Sequence, residues 1–237
     1  MAPDFHLSPY PGRGVVVGTD ADGRAFWVYF VTGRSPASRR RSLRIVGPAL
    51  MVEPLDADAP PDELRHYACV QANGPYVVVG NGAHVSDIAG RLDHGESLDR
   101  VYDDLVPEPD PPIHTPRIAA VCSADGTWIG TVWRDGLVDN RVVQRVVIEP
   151  GAGFVLSTYE GDGDAVEVAR TIRRVTEIAS LPETVDLLWA QLDARYRVVV
   201  AGGYVDRAPA IEATVTVDAR HGHADGSGGA ERRARAD

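Results

Sequence analysis

The stretch "FVTGRSPASRRRSLR" holds the densest group of basic side chains in a chain whose formal net charge is −10. Its five arginines are Arg34, Arg39, Arg40, Arg41 and Arg44. Arginine presents a planar fork that binds phosphate oxygens through paired hydrogen bonds, and a neighbouring hydroxyl such as that of Ser35 can complete the site. Arg34 and Arg39 are the stronger candidates for phosphate ligands, because Arg40 and Arg41 suit a solvated surface equally well. A solvated basic loop is the alternative interpretation.

The segment "VGNGAHVSDI" places an amide side chain directly before a predicted helix. The turn at Asn81 and Gly82 can direct that amide and backbone N–H groups at a ligand, although an ordinary strand-to-helix turn has the same composition. His84 and Asp87 stand three residues apart, a spacing that could form half of a metal site. No second cluster of histidine and carboxylate residues completes it in the sequence, so we expect no metal.

The composition excludes several classes of function. All 24 basic residues are arginine, which rules out lysine Schiff-base chemistry and the lysine of a phosphate-binding loop. The acidic balance argues against a nucleic-acid partner. No apolar run approaches the roughly 20 residues that span a bilayer, and the first residues lack the order of a signal peptide. We therefore expect a soluble, cytoplasmic protein with no membrane partner.

The length and apolar content are those of one domain with a sizeable core, since 44% of the 237 residues are hydrophobic. We assign residues 1–218 to that domain and residues 219–237, which are polar and glycine-rich, to a disordered tail. Cys69 and Cys122 lie far apart in apolar, strand-like segments. We interpret them as small buried hydrophobic residues, which leaves neither a disulfide nor a thiolate zinc site.

Local patterns predict hairpins in both halves of the chain. Apolar runs at 15–17 and 25–31 flank a turn at Asp20–Gly23, and "HYACVQANGPYVVVG" contains a second turn at Asn73–Gly74. Beyond a proline-rich connector, "VPEPDPPIHTP", further strands are joined by turns at Asp125–Gly126 and Asp135–Gly136.

Helical spacing of apolar residues appears in three segments: "HVSDIAGRLDHGESLDRVYDDL", interrupted at Gly95, "DAVEVARTIRRVTEIA" and "LPETVDLLWAQLDA". A last strand, "YRVVVAGGYV", follows. The order of strands, helix, strands, two helices and a strand predicts an α+β layered architecture with mostly antiparallel sheets, and not alternating parallel units.

Four motifs in this order, "YPGRGVVVG", "VTGRSPASR", "GNGAHVSDI" and "TPRIAAV", with "LSTYE" in support, resemble the archaeal-type IMP cyclohydrolase family and its bacterial relatives. The resemblance extends from Tyr10 to about Tyr204. It implies a four-layer αββα sandwich of the N-terminal-nucleophile hydrolase type. The fold would be used here without an N-terminal nucleophile, because no Ser, Thr or Cys stands at the first two positions.

The reaction that the resemblance implies closes a purine ring. In it, 5-formamidoimidazole-4-carboxamide ribotide (FAICAR) loses water and becomes inosine 5′-monophosphate (IMP). The carboxamide nitrogen must attack the formyl carbon, and the resulting carbinolamine must lose its oxygen. Such a reaction needs a clamp for the 5′-phosphate, a proton acceptor and a proton donor, but no metal or redox cofactor.

The resemblance also suggests which side chains do this work. Tyr67 and Glu108 match the family's reacting centre, with Asp110 left open as the carboxylate in place of Glu108, and Asn81 would hold the carboxamide or formyl group. The expected substrate-binding residues match the remaining motif positions: Arg34, Arg39, Arg13, Ser35, Gly82 and Arg117.

Three other interpretations stay open at this point. The pocket could serve a different ribotide in a specialised nucleoside pathway, or the protein could bind nucleotides without turning them over. An amide hydrolase of the same fold is disfavoured by the missing N-terminal nucleophile. Exposed sheet edges leave a homo-oligomer open as well.

Overall fold

Two antiparallel sheets of seven strands each dominate the computed structural model, which describes residues 2–56, 62–205, 214–220 and 222–225. The described elements, in chain order, are β1 Arg13–Thr19, β2 Ala25–Thr32, α1 Pro36–Arg39, β3 Arg41–Val46, β4 Ala49–Pro54, β5 Tyr67–Asn73, β6 Tyr76–Gly80, α2 His84–Asp93, β7 Arg117–Ser123, β8 Gly126–Asp135, β9 Val138–Val146, β10 Ala152–Ser157, β11 Tyr159–Gly161, β12 Val166–Val168, β13 Arg173–Thr176, α3 Leu181–Gln191, β14 Arg197–Tyr204, β15 Thr214–Asp218 and β16 Gly222–Asp225.

The first sheet has the order β13-β10-β1-β2-β14-β15-β16, and the second runs β3-β4-β5-β6-β7-β8-β9. The strands of the second sheet follow chain order, and its hairpin turns at Asn73–Gly74, Asp125–Gly126 and Asp135–Gly136 confirm the local prediction. The first sheet instead joins strands from distant parts of the chain, because β1 pairs with β10 and β2 pairs with β14.

The inner faces of the two sheets form the central core. Val15 and Val17 of β1 point into it, whereas Val16 between them points to the other face, as the two-residue period of a strand requires. The inner residues of the first sheet pack against apolar side chains of the second sheet, such as Val79 and Ile118. The thiols of Cys69 and Cys122 belong to the same core.

A helix covers the outer face of each sheet. Leu181 and Val185 of α3 pack on the first sheet, against Phe26. Val85 and Ile88 of α2 pack on the second sheet. The layers therefore follow the order helix, sheet, sheet, helix, while assignment to the N-terminal-nucleophile hydrolase type stays a prediction.

The segment "DAVEVARTIRRVTEIA" was predicted to be a helix, and that prediction is wrong. It contains β12, which pairs with β11, and β13, which pairs with β10 at the edge of the first sheet. The segment is rich in β-branched residues, which favour extended backbone, and the free edge of β10 offers that backbone a strand partner. Val175 and Ile178 still reach the core, but from a strand and the residues beyond it.

Two other predicted segments differ from the structure in their extent. Helix α2 ends at Asp93, just before Gly95, which adopts a left-handed φ of 77°, and only turns follow it up to Asp104. Strand β16 lies within the segment that was predicted to be a disordered tail and pairs with β15. Residues 219 and 220 of that predicted tail form a turn, and residues 221 and 226–237 lie outside the described residues.

The strand register gathers several loops at one end of the sandwich. Arg13 at the start of β1 lies opposite Val31 near the end of β2, and Gly14 lies opposite Ser157 at the end of β10. In the second sheet, Gly80 at the end of β6 lies opposite Ala119 near the start of β7. The segments that leave these strand ends carry most of the predicted site residues. Within the described ranges, no helix has the length and apolar character needed to cross a membrane.

Candidate active site

A buried ion pair lies at this end of the sandwich. Arg13 donates from Nη2 to Glu108 Oε2 at 2.6 Å and from Nη1 to Oε1 at 2.9 Å, and the two residues are 8% and 2% exposed. Arg13 Nη1 also donates to the backbone oxygen of Asn81 at 2.7 Å. Burial on its own lowers the pKa of Arg13, but the charge and hydrogen bonds of Glu108, together with the nearby Tyr67 and Tyr29, outweigh burial and hold that pKa well above its ordinary value. The paired fork compensates the cost of burying both charges.

Tyr67 lies next to this pair. The guanidinium carbon of Arg13 is 5.9 Å from the centre of the Tyr67 ring, and the Tyr67 hydroxyl is 2.7 Å from the hydroxyl of Tyr29. Arg13 therefore lies beside both a carboxylate and a phenol, which are the residue types that a proton acceptor and a proton donor require. Tyr29 was not singled out from the sequence, although a hydroxyl on the inward face of an apolar strand calls for a buried partner.

The loop that carries Glu108 is braced by Asp110. The carboxylate of Asp110 accepts hydrogen bonds from the backbone N–H and the hydroxyl of Thr115, at 2.7 and 2.5 Å, and the Thr115 hydroxyl also contacts the hydroxyl of Tyr159. The backbone N–H of Glu108 donates to Thr115 O at 2.9 Å, which closes the loop. Between the two carboxylates left open by the sequence, the geometry therefore favours Glu108 for the site and Asp110 for support of the loop.

Asn81 is fully buried, and its side chain is bonded to backbone. Its Nδ2 donates to Pro116 O at 2.8 Å, and its Oδ1 accepts from the N–H of Ile118 at 2.8 Å. These bonds tie the end of β6 to the start of β7. The Asn81 side chain, which was predicted to hold the carboxamide or formyl group, thus joins two backbone segments. The backbone oxygen of Asn81 contacts the ion pair, because it accepts a hydrogen bond from Arg13.

His84 and Arg117 form a second contact, partly buried, beside Glu108. His84 Nδ1 accepts from Arg117 Nη1 at 2.8 Å, so Nε2 carries the hydrogen and donates to Ile118 O at 3.0 Å. Burial first, and then the positive charge of Arg117, lowers the pKa of His84 to about 3, which keeps the ring neutral. Arg117 Nε donates to Val106 O at 2.9 Å. Both ring nitrogens of His84 are occupied, so it is not available as a metal ligand.

Gly82 permits this crowding. A Cβ atom at Gly82 would lie 2.8 Å from Glu108 Oε1, closer than real Cβ contacts come, and 3.2 Å from Arg117 Nη1, a tight contact. The absence of a side chain therefore lets the turn after β6 press against both charged groups. The part of the chain that the structure describes holds no group of three or more His, Cys, Asp or Glu side chains that could bind a metal ion.

The arginine-rich loop divides into bonded and available side chains. Arg40 pairs with Asp56 and Arg44 pairs with Glu53, while the buried Arg41 donates to the backbone oxygens of Ser38 and Thr32.

Arg34 and Arg39, the two predicted phosphate ligands, have no carboxylate partner among the described residues. Both are exposed, and Arg39 makes one long hydrogen bond, 3.4 Å, to Arg195 O. Ser35 caps the short helix α1, where its hydroxyl accepts from the N–H of Ser38 at 3.1 Å. The Ser35 side chain therefore shapes the loop that presents Arg34.

Three tyrosines pack together behind these loops. Tyr10 stacks on Tyr159 with ring centres 6.0 Å apart and meets Tyr196 edge to face at 5.2 Å. Tyr196 O accepts from the N–H of Gly33 at 2.7 Å, which fixes the start of the arginine-rich loop to the segment before β14. The predicted site residues Arg13, Tyr67, Asn81, Gly82, Glu108 and Arg117 thus lie together in one cluster, and Arg34, Ser35 and Arg39 lie on the loop that leaves the same end of the first sheet.

Comparison with known proteins agrees with the motifs. The chain is 34% identical over 163 residues to the protein named "IMP cyclohydrolase" of Methanothrix thermoacetophila, covering 65% of this chain and 76% of that protein. It is 34% identical over 158 residues to the protein of the same name in Halobacterium salinarum, covering 65% and 74%. The chain is 29% identical over 182 residues to the protein of that name in Haloquadratum walsbyi, and the match covers 72% of this chain and 81% of that protein.

These relatives match more than half of the chain at moderate identity. The sequence model of the family described as "IMP cyclohydrolase-like protein" matches residues 10–208, which include every site residue discussed above. The chain belongs to the family of IMP cyclohydrolase-like proteins.

Proposed function

We propose that this protein is an IMP cyclohydrolase, a hydrolase that closes the purine ring of FAICAR to give IMP and water. The observation that carries the proposal is the buried Arg13–Glu108 pair beside Tyr67, which places an acceptor and a donor together. Membership of the family supports the same reaction. The ligand of the site is then a small ribonucleotide, and the activity belongs to purine biosynthesis.

The chemistry requires two protons to leave the substrate and one oxygen to depart as water. A bond forms between the carboxamide nitrogen and the formyl carbon, and Glu108 accepts the proton that this nitrogen loses. Tyr67 donates to the formyl oxygen as negative charge develops there. Glu108 supplies the second hydrogen when the carbon–oxygen bond breaks, and the proton of the formamide nitrogen restores Tyr67.

The buried arrangement serves this reaction in two ways. Water is excluded around Glu108 and Tyr67, so the attack is not diverted and electrostatic interactions are strong. Arg13 holds the carboxylate through two hydrogen bonds, which limits its orientations and brings the reacting groups close to the geometry of attack.

The 5′-phosphate is assigned to Arg34 and Arg39. They are the exposed arginines of the basic loop that no carboxylate neutralises within the described residues, whereas Arg40 and Arg44 are paired and Arg41 is buried. Charge-assisted bonds to phosphate oxygens would order both side chains on binding. The electrostatic attraction of the loop explains how a protein with a net charge of −10 can bind an anionic nucleotide.

Some finer points belong to the same proposal. The layer order of helix, sheet, sheet, helix supports a fold of the N-terminal-nucleophile hydrolase type. A cytoplasmic location fits a phosphorylated substrate. The edge strand β9 exposes Val138 and Val142, which supports a homo-oligomer, and the mass of the protein in solution by light scattering tests that point.

The test of the function is an ultraviolet progress curve with FAICAR, read against the spontaneous cyclisation without protein. We expect acceleration by the wild type, a kcat lowered about 100-fold but still measurable in Tyr67→Phe, and a reduced kcat/KM in Arg34→Ala. Arg44→Ala is the matched control, since it removes an arginine of the same segment that is paired with Glu53. Tight IMP binding with no acceleration would instead identify a nucleotide-binding protein without this activity.

A further inference from the structure

Tyr29 lies in the core between the two sheets, directly behind Tyr67. It is fully buried, and its neighbours in the core are apolar side chains of both sheets. Its hydroxyl lies 2.7 Å from the hydroxyl of Tyr67, and within the described residues Tyr67 is its hydrogen-bond partner. The two strands that carry these tyrosines belong to different sheets, so the contact links the sheets at the reacting end of the sandwich.

This pair has two hydroxyl hydrogens but makes only one hydrogen bond between its two oxygens. One tyrosine must donate to the other, and the hydrogen of the accepting tyrosine must find a different partner or stay unsatisfied. Burial raises the pKa of Tyr29 well above its ordinary value, so Tyr29 keeps its hydrogen at any working pH. The location of the second hydrogen therefore depends on which tyrosine faces a further acceptor.

The two directions differ in where the second hydrogen lies. If Tyr67 donated to Tyr29, the Tyr29 hydrogen would remain in a core where the described residues offer it no other hydrogen bond, which is costly. If Tyr29 donates, the hydrogen of Tyr67 is free at the reacting end, beside the ion pair of Arg13 and Glu108, where a bound substrate can accept it.

We propose that Tyr29 is a positioning residue that donates to the oxygen of Tyr67 and thereby directs the Tyr67 hydrogen toward the substrate. The inference rests on the proposed function and deepens it, because it makes Tyr67 the donor to the formyl oxygen in the attack step and leaves Glu108 as the group that accepts the carboxamide proton. The bond from Tyr29 also stabilises negative charge on the Tyr67 oxygen when Tyr67 gives up its proton. Tyr29 itself does not touch the substrate.

The kinetic test is a double-mutant cycle with Tyr29→Phe and Tyr67→Phe. We expect Tyr29→Phe to lower kcat about tenfold and to change KM less than about twofold, because it alters the donor and leaves the phosphate site intact. In the Tyr67→Phe background the same change should cost less than about twofold, since Tyr29 acts through Tyr67. Additive losses, or an unchanged kcat in Tyr29→Phe alone, would overturn the inference.

Tyr102→Phe is the matched control. Tyr102 is as deeply buried as Tyr29, and its hydroxyl donates to a single partner, Trp128 O at 3.2 Å, in the core on the outer side of the second sheet. Removal of this hydroxyl perturbs the fold in a comparable way and leaves the reacting end untouched. We expect kcat to stay within about twofold of wild type, so a large loss in this variant would mean that the kinetic effect of Tyr29→Phe reports packing alone.

A second test needs no substrate and separates this inference from the proposed function. Tyr67→Phe removes the acceptor of the buried Tyr29 hydroxyl, so its melting temperature should fall by about 3 to 8 °C. Tyr29→Phe leaves no buried hydrogen without an acceptor, so its melting temperature should fall by less than that of Tyr67→Phe. The melting temperature of the double variant should lie above that of Tyr67→Phe. The reverse order would overturn the donor direction. A wild type that fails to accelerate FAICAR closure would overturn the proposed function, whatever the order of melting.

Discussion

Two groups of arginines in this protein have opposite surroundings. The arginine-rich loop is conspicuous in the sequence, yet Arg40 and Arg44 form exposed ion pairs with Asp56 and Glu53. Arg13 is a single arginine between two glycines, and the fold buries it against Glu108. Exposed pairs of this kind contribute little to stability, whereas a buried charge depends strongly on its partner. The number of arginines in a segment therefore says less about their role than the burial of each one.

The largest effect is expected for Arg13→Met. The substitution keeps an unbranched side chain but leaves the carboxylate of Glu108, 2% exposed, without its partner. We expect a loss of about 3–5 kcal/mol in the free energy of unfolding, measured with urea, and loss of turnover. Glu108→Gln is the comparison variant, because it keeps an acceptor for one of the Arg13 hydrogen bonds and should lose less stability. Equal stability of wild type and Arg13→Met would show that the buried pair does not matter to the fold.

The second prediction concerns His84, which holds another arginine, Arg117, in the buried group. The folded pKa of His84 is about 3, below the ordinary value of about 6.5 that we expect in the unfolded chain. The unfolded state therefore binds more protons between these values, so the contribution to stability is fully present above about pH 6.5 and is lost as pH falls. We expect this group to account for a loss of about 2 kcal/mol between pH 6.5 and pH 5.

Urea unfolding of the wild type and of His84→Gln at both pH values measures that loss. The variant should be less stable at neutral pH but should show a shallower dependence on pH. His94→Gln is the control, since His94 is exposed at the end of the same helix and should leave the slope unchanged. Equal slopes in the wild type and His84→Gln would contradict the prediction.

The third prediction concerns the available arginines of the loop. Arg34→Ala should lower kcat/KM for FAICAR by about tenfold, mainly through KM, because it removes a charge-assisted bond to phosphate that forms in both ground and transition states. The loss should shrink as ionic strength rises. An unchanged KM in steady-state kinetics at low salt would remove Arg34 from the phosphate site.

The smallest effect is expected for the exposed pairs. Arg40→Ala and Arg44→Ala remove side chains whose partners lie at the surface, so the melting temperature should stay within about 2 °C of wild type. Kinetic constants should be unchanged as well. A large loss of activity in either variant would mean that the ion pair opens to bind the substrate. The paired arginines of the loop would then not differ in role from Arg34 and Arg39.

Most of the second sheet and one of the helices could be predicted from local sequence. Turn residues at Asn73–Gly74 and Asp125–Gly126 determine hairpins because they accept the backbone angles of tight turns. Helix α3 was predicted correctly, and its first turn is capped by the Ser180 hydroxyl, which accepts from Glu183 N. The segment that contains β13 was mistaken for a helix, since its strand pairing with β10 depends on residues some 20 positions away.

The sequence by itself determined the elements whose signals are local, the family to which the chain belongs, and the residue types of the site. Only the tertiary structure decided their relations. It bonded the Asn81 amide to backbone and placed Glu108 in the buried ion pair while Asp110 supports the loop. It also brought the hydroxyl of Tyr29 next to that of Tyr67, which belongs to the other sheet. The physical reason is that burial and hydrogen-bond partners are set by strands distant along the chain, whereas turns and caps are set by neighbouring residues.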